Sequence, residues 1–478
     1  AVLSRQRKHE YPITFMILVK TVVTWTNIVL VALILMIAGN LIKLLPFKKQ
    51  KKKELFFHRL FYWLTKAYIA VTFANDRKLI NEHGEDFTRP AIIISNHQSL
   101  IETPAFLRLY PKIIILTTSW VHSSPIFGPI AKLASFFDVN NGIDSIIGQL
   151  QAKVDEGFSI LIFPEAHRSE DHKIQRFHRG AFYLAERLQT DILPVVVFGT
   201  GDFLGKGNFW GRPNSLRMKI LKRVSCSDDS MGATYQERAK QFRKLYIDQY
   251  AIIRQQEGDA HYYSRKLALN YVLKGPVLEW YMRVKMKLEN NYEIYNRLLP
   301  RRGEILDLGC GYGFISYMLM FTSEERTITS VDYDAEKISV AAGCFSKNDR
   351  ISFHCADISG FEITPKNGIL LCDVLHYLTP EKQLELLRRC FSGLLPGGRV
   401  LIREANTELK KRHSRSKLTE FISTGIGFNK TQNAEKLLYF TSAEQIRMVA
   451  AEFGMVMEVI DNTRMTSNVL YVIKKDIS

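Results

Sequence analysis

The distribution of apolar and polar residues divides the chain into three regimes. Near the start, Thr21 to Ile42 is a 22-residue stretch without a charge, rich in Val, Ile and Leu. A bilayer crossing needs about 20 apolar residues, so this length predicts a transmembrane helix, with a long buried helix as the alternative. An aromatic, amphipathic region follows through residues 55–70, including Phe56, Phe57, Phe61, Tyr62, Trp63 and Tyr68. It suits either a helix in the headgroup zone or one packed on the next domain. Short apolar runs then begin, at Ala91–Ser95, Ser159–Phe163 and Asp191–Phe198. Each reads as a buried strand. A helix over Gln236–Gln256 closes this region, and Glu257-Gly258-Asp259 marks a break. A helical, basic-aromatic stretch leads to Leu299. Beyond Pro300, strands at Glu304–Leu308, Thr327–Asp332, Ile351–Ala356, Gly368–Asp373 and Arg399–Arg403 alternate with helical segments. That alternation predicts a doubly wound parallel sheet.

Length and charge add constraints. A chain of 478 residues exceeds one ordinary core, and its formal charge of +17 favours anionic partners such as phospholipid headgroups. Six cysteines without CxxC or zinc-ligand spacing fit reduced thiols in the cytosol and predict no metal. Lys43, Lys48, Lys49 and Lys51–Lys53 follow the apolar stretch, which places its C-terminal side in the cytoplasm. The chain begins at Ala1, which suggests a fragment or a processed polypeptide.

Chemistry concentrates in two places. Asn96-His97 emerges at the end of a buried strand, with Glu102 five residues on. If a helix starts after His97, one turn returns Glu102 beneath the imidazole, where a carboxylate fixes the tautomer and stabilises the imidazolium. Residues 125–128 read PIFG and residues 163–169 read FPEAHRS, while a glycine-rich loop, Gly199-Thr-Gly201, follows the third strand. Far downstream, residues 307–313 read DLGCGYG directly after a strand, and Asp332 ends the next strand nineteen residues after Gly313. Glycines at a strand's carboxyl end let the backbone approach a ligand, and an acid there suits ribose hydroxyls.

In order and spacing, residues 56–256 resemble the glycerolipid acyltransferases, the group that includes the lysophosphatidic acid acyltransferases. The matching blocks are NHxxxxD, P-x-F-G, FPEGTRS and a proline-containing apolar strand. The resemblance implies that His97 is the general base on an acceptor hydroxyl and that Glu102 orients it. Glu165 and Arg168 would bind the acceptor, with Gly128 on a substrate-contacting loop. Acyl-CoA or acyl carrier protein would be the donor. Three departures stand out: Glu102 replaces the family's aspartate, Ala166-His167 its Gly-Thr, and no arginine appears over Phe137–Gly142. They suggest an acceptor without phosphate, or reduced activity.

Residues 292–473 resemble the class I S-adenosylmethionine-dependent methyltransferases. The resemblance gives Asp307, Gly309, Gly311, Gly313, Asp332, Asp357 and Asp373 to the cofactor S-adenosyl-L-methionine. It puts His376 and Tyr377 at the methyl-acceptor pocket, as wall or as base, and Glu404 carries the same two readings.

The expected organisation is α/β. A transmembrane anchor and basic segment (1–54) precede an acyltransferase-like domain (55–256), a helical linker (257–291) and a Rossmann-like methyltransferase domain (292–478). The predicted protein is a bifunctional enzyme of the inner membrane with cytoplasmic catalytic domains. Membrane lipids and acyl carrier protein are its expected partners. The basic run Lys410–Lys417 is expected to face the membrane or form a lid, not to bind nucleic acid. The domain order resembles fusions in which an RND-type lipid exporter precedes such a pair in aryl-polyene or dialkylresorcinol pathways, making residues 1–45 an exporter's tail. The alternative is a membrane scaffold with a degenerate acyltransferase half.

Overall fold

The computed structural model describes residues 13–44, 50–74, 76–140, 142–288, 291–405, 439–461 and 468–475. The basic run 410–417 lies outside them. The chain forms two compact units that meet at Glu257/Gly258.

The first unit opens with α1 (Phe15–Leu44) and α2 (Gln50–Phe73). Phe15–Ile42 is long and apolar enough to cross a membrane. One face of α1, however, belongs to the protein. Ile17, Thr21, Thr24, Ala32, Leu35 and Ile42 are buried, recurring at the three-to-four-residue spacing of a packed stripe. Polar contacts fix the same face: Thr21 Oγ1 accepts from Gly211 N at 2.9 Å, and Trp25 Nε1 donates to Phe209 O at 2.9 Å. The opposite face exposes Leu18, Val22, Val29, Leu33, Ile37 and Leu41. The helix therefore has one narrow packed stripe and a wider bare apolar surface.

A seven-stranded sheet follows, built from β1 (Arg77–Ile80), β2 (Ile92–Ser95), β3 (Ile113–Thr117), β4 (Phe137–Asp138), β5 (Ser159–Ile162), β6 (Ile192–Phe198) and β7 (Leu216–Ile220). Their spatial order is β1-β7-β6-β2-β5-β3-β4. The only antiparallel pairing among the described strands of this sheet is β6 with β7. The helices are α3 (Glu102–Leu107), α4 (Ser119–Ser123), α5 (Phe127–Leu133), α6 (Ile147–Asp155), α7 (Gly180–Arg187), α8 (Thr200–Leu204) and α9 (Tyr235–Glu257). β2 lies centrally between β6 and β5, and all four of its residues are buried. Covered on both faces, it needs no alternation, which is why it reads as a plain apolar run. Each such isoleucine contributes roughly 1.5–3 kcal/mol by leaving water.

The second unit contains α10 (Ala260–Leu269), α11 (Pro276–Leu288), α12 (Tyr292–Leu298), α13 (Phe314–Thr322), α14 (Ala335–Ala342) and α15 (Pro380–Ser392). Its strands are β8 (Gly303–Leu308), β9 (Arg326–Asp332), β10 (Ile351–Cys355), β11 (Lys366–Cys372), β12 (Leu394–Ala405), β13 (Val456–Ile460) and β14 (Asn468–Lys474), in the order β10-β9-β8-β11-β12-β14-β13. The first five run parallel, and β14 is antiparallel to both β12 and β13. This is a doubly wound sheet with its order reversing beside β8. The stretch expected as a linker is not separate: Ala260, Tyr263, Leu267, Tyr271, Leu278 and Met282 are buried in this unit's core with Phe314, Tyr317 and Phe321. Aromatic side chains this bulky hide too much apolar area for α10 and α11 to stand apart.

Candidate active sites

In the first unit the chain leaves β2 at Asn96, whose side chain continues the ladder. Its Nδ2 donates to Val197 O at 2.9 Å, and its Oδ1 accepts from Val197 N at 2.8 Å. That amide pins the strand's exit to β6, so His97 starts from a fixed point. The imidazole stacks on Phe163 with centroids 4.0 Å apart, and its Nδ1 lies 2.7 Å from Glu102 Oε2. Glu102 is fully buried, while the His97 side chain is 17% exposed. Residues 98–101 form turns rather than the expected helix, and Glu102 is the first residue of α3. The turn serves the carboxylate directly. Gln98 N donates to Oε1 at 3.0 Å, Ser99 N to Oε1 at 3.1 Å, and Thr200 Oγ1 to Oε1 at 2.6 Å. A carboxylate facing these donors accepts from all of them, so Nδ1 carries a proton and Nε2 turns a lone pair outward.

Glu165, expected at the acceptor, is buried against backbone amides. It is 4% exposed, and its oxygens accept from His97 N and Gln175 N, each at 2.8 Å. It ties the loop after β5 to the backbone of the base. Burial pushes its carboxyl up to about 7, against the lowering effect of those two amides. Ser169 N completes the tie by donating to His97 O at 2.8 Å. Arg168, on the same loop, is half-buried, and no described residue pairs with its guanidinium. Ala166, where the resemblance has glycine, keeps a left-handed backbone at φ 61°. Gly128 on α5 lies against backbone: a Cβ there would sit 2.4 Å from His122 O. It borders a cavity of about 540 Å³ lined also by Met36, Phe57, Lys53, Lys132 and Leu133, but not by His97 or Glu102.

In the second unit, the loop after β8 has Gly309, Gly311 and Gly313 at φ 79°, 54° and 77°. Gly309 is also sterically required, since a Cβ would fall 2.5 Å from Val374 Cγ2. Gly311 N donates to Asp332 Oδ2 at 2.8 Å, joining the loop to the end of β9. Asp307 lies beneath: it is buried, accepts from Ser316 Oγ at 2.5 Å, and is pushed up to about 6 by that burial. It supports the loop from below. Asp357, exposed beyond β10, accepts from Ser359 N through one oxygen at 2.9 Å. The loop, Asp332 and Asp357 thus gather at the carboxyl ends of three neighbouring strands.

Asp373 departs from expectation. Its backbone swings to φ 54°, its Oδ2 pairs with Arg403 Nη1, and its Oδ1 accepts from Asn468 Nδ2 at 2.9 Å. Those partners lie on β12 and β14, the side of β11 away from β8. Next to it, His376 Nδ1 lies 2.6 Å from Glu404 Oε1, with both side chains 2% exposed. The ring packs against Tyr377 and Phe440, at centroid distances of 4.3 and 5.5 Å. Ser316, Arg403 and Asn468 carry no distinguishing signal in the sequence. Only Thr200, held between two glycines at a strand end, stood where a functional residue could be sought.

The residues fit S-adenosylmethionine. The side of Gly311 where a Cβ would lie has no atom within 4 Å, and the carboxylates of Asp332 and Asp357 retain unused lone pairs.

Residues 71–198 match the family model described as Acyltransferase, and residues 305–398 that described as Methyltransferase domain. The 1-acyl-sn-glycerol-3-phosphate acyltransferase of Cocos nucifera is 24% identical over 244 residues, 49% of this chain and 72% of that protein. The human 1-acyl-sn-glycerol-3-phosphate acyltransferase beta is 27% identical over 146 residues, 29% of this chain and 52% of its own length. The chain thus spans only about half of that relative. The carboxy-S-adenosyl-L-methionine synthase of Desulfotalea psychrophila is 26% identical over 175 residues, 36% of this chain and 70% of its own. Among solved structures, the LPA acyltransferase PlsC from Thermotoga maritima shares 19% identity at a TM-score of 0.40, covering 49% of this chain and 95% of that one. The protein therefore joins two transferase domains, an acyltransferase followed by a methyltransferase. The first is similar to the 1-acyl-sn-glycerol-3-phosphate acyltransferases, and the second has the fold of the S-adenosylmethionine-dependent methyltransferases.

Proposed function

We propose that the first domain moves an acyl group from a thioester, acyl-CoA or acyl carrier protein, to a hydroxyl of a lipid acceptor at a membrane surface. The observation that supports this most is the His97–Glu102 pair, one partner sealed and the other presenting Nε2 outward. In the reaction Nε2 takes the hydroxyl proton while the oxygen attacks the thioester carbonyl. The tetrahedral intermediate collapses with loss of the thiolate, which receives the same proton from the imidazolium. Glu102 stabilises the transient positive charge and Glu165 keeps the backbone of the base in place. Arg168 faces an anionic group of the acceptor. The bare apolar face of α1 lies in the membrane, where a lipid acceptor is supplied.

The second domain passes a methyl group to a nucleophilic atom of a lipid-linked or aryl-polyene-type intermediate. S-adenosylmethionine, when bound, supplies an electrophilic methyl on sulfonium. The glycine loop, Asp332 and Asp357 would hold it. His376, aligned by Glu404, draws the proton from the acceptor's nucleophilic atom. The intact donor set around Glu102 favours this bifunctional reading over a scaffold with a decayed acyltransferase half.

The test is incubation of membranes with radiolabelled acyl-CoA and lysolipid, for the intact chain and for His97→Ala. Label in lipid with the former and not the latter is expected. Equal label in both would overturn the acyltransferase assignment.

A further inference from the structure

We infer that Thr200 is a positioning residue of the acyltransferase dyad, and that it adapts the site to a glutamate where the resembling family has an aspartate. The inference rests on the acyl-transfer reading above and deepens it. It begins from a geometric problem. A carboxylate one methylene farther along its side chain has an extra rotatable bond, and an error near 1 Å in its position can cost on the order of a hundredfold in rate. A longer carboxylate must therefore be held by more than the base it serves.

The turn after β6 supplies that hold. Thr200 is fully buried and its hydroxyl donates to Glu102 Oε1 at 2.6 Å, leaving Oε2 for His97 Nδ1 at 2.7 Å. Thr200 and Ser99 N hold Oε1, His97 meets Oε2, and Gln98 N bridges the two oxygens at 3.0 and 3.1 Å. Gln98 N and Ser99 N add donors from the near side, while Thr200 is the only described donor to Glu102 from outside residues 97–99. The turn itself is stitched to the loop carrying the base. Ser99 Oγ donates to Leu204 O at 2.7 Å, and Ser99 pairs with Gly205 in an antiparallel bridge. Asn96 closes the other end through both atoms of its amide on Val197. Residues 96–102 and 197–205 therefore form one cradle with the carboxylate between its walls.

A hydroxyl aimed at one oxygen of a sealed carboxylate selects a rotamer. Without it, Oε1 loses a donor in a place water does not reach, and the carboxylate can turn about its last bond. Shortening the side chain has the same effect from the opposite direction, because an aspartate at 102 that still meets His97 draws away from Thr200. Restoring the family's residue should thus lower activity rather than raise it.

The experiment compares Thr200→Val, Thr200→Ser and Glu102→Asp in the 478-residue chain, measuring acyl transfer from acyl-CoA and, separately, the NMR signal of the His97 Nδ1 proton. Thr200→Val should lower kcat about ten- to a hundredfold with KM unchanged, and should shift or broaden the proton signal. Thr200→Ser should restore both, and Glu102→Asp should fall at least tenfold below the parent chain. A parental kcat and proton signal in Thr200→Val, or activity at or above the parent in Glu102→Asp, would overturn the inference. Because the proton signal does not require turnover, a chain that shows the predicted spectral changes but no acyl transfer would refute the proposed reaction and leave the positioning role standing. Should Thr200→Val fail to fold, Glu102→Asp and Thr200→Ser decide the matter.

Discussion

The second domain contains a fully buried cation, and replacing it should collapse that domain while sparing the other. Arg326, the first residue of β9, is 0% exposed. Its Nε donates to Pro300 O at 2.8 Å, its Nη1 to Asn296 Oδ1, Leu319 O and Thr322 Oγ1 at 2.9–3.2 Å, and its Nη2 to Asn296 O and Leu299 O at 2.8 and 3.0 Å. These acceptors cluster at the carboxyl ends of α12 and α13, where helix carbonyls lack partners and the helix dipole favours a positive charge. The guanidinium is thus a shared cap for two helices, one of which begins just after Gly313 of the cofactor loop. Burial pulls its pKa down only to about 10, so the charge persists at neutral pH. Arg326→Met keeps much of the volume and strands four main-chain carbonyls. Removing one side of a buried charged network typically costs about 3–5 kcal/mol. At ~2–4 °C per kcal/mol for a domain of this size, unfolding should begin roughly 6–20 °C lower. Scanning calorimetry of the 478-residue chain measures this, with S-adenosylhomocysteine marking which transition belongs to the methyltransferase domain through its ligand-induced rise. Arg326→Lys, with fewer donors, should fall between. A loss under about 1 kcal/mol in the Met variant would refute the capping argument.

Three further outcomes are expected. Glu165 has its proton affinity raised in the fold to about 7 from an ordinary 4.5. The unfolded chain therefore releases that proton first, and stability declines as pH rises from 4.5 to 7, by at most about 3 kcal/mol, with none of the loss below 4.5. Glu165→Gln should flatten that part of a melting-temperature profile, and an unchanged slope would argue against it. Ala166→Gly should stabilise the first domain by about 1 kcal/mol without lowering kcat, because glycine adopts the observed φ of 61° without a Cβ penalty. Denaturant titration checks this. Arg168→Gln should raise KM for an anionic acceptor about tenfold and leave KM for a neutral one in place, measurable by paired acceptor kinetics.

Much of the architecture could be read from the chain because its central strands are buried on both faces. β2, β5 and β6 announce themselves as apolar runs. β1 does not: Arg77-Lys78-Leu79-Ile80 is an edge strand with an exposed, charged surface, and nothing in its composition distinguishes it from a loop. β13 is also an exposed edge strand, but its Val456-Met457-Glu458-Val459-Ile460 run is apolar and too short for periodicity to tell strand from helix. β7 alternates buried and half-buried residues and was legible in principle. At the sites, His97 and Glu102 are close in sequence, and their pairing follows from spacing. Thr200 is 98 residues from the carboxylate it serves, and only the neighbouring positions of β2 and β6 bring them together. Asp373 shows the opposite difficulty. Its place at a strand end suggested the cofactor, but Arg403, 30 residues later, claims its carboxylate. A motif fixes where a residue stands along the chain and leaves open which way its side chain turns.

The claim that two independent transfer sites share this polypeptide is best tested by measuring both functions in the same preparations. The purified 478-residue chain, His97→Ala and Asp332→Ala would each be assayed for acyl transfer to lysolipid and titrated calorimetrically with S-adenosylhomocysteine. The account predicts a clean crossing: His97→Ala loses acyl transfer and retains the binding heat, whereas Asp332→Ala loses the heat and retains acyl transfer. Undiminished acyl transfer by His97→Ala, or unaltered heat with Asp332→Ala, would contradict it.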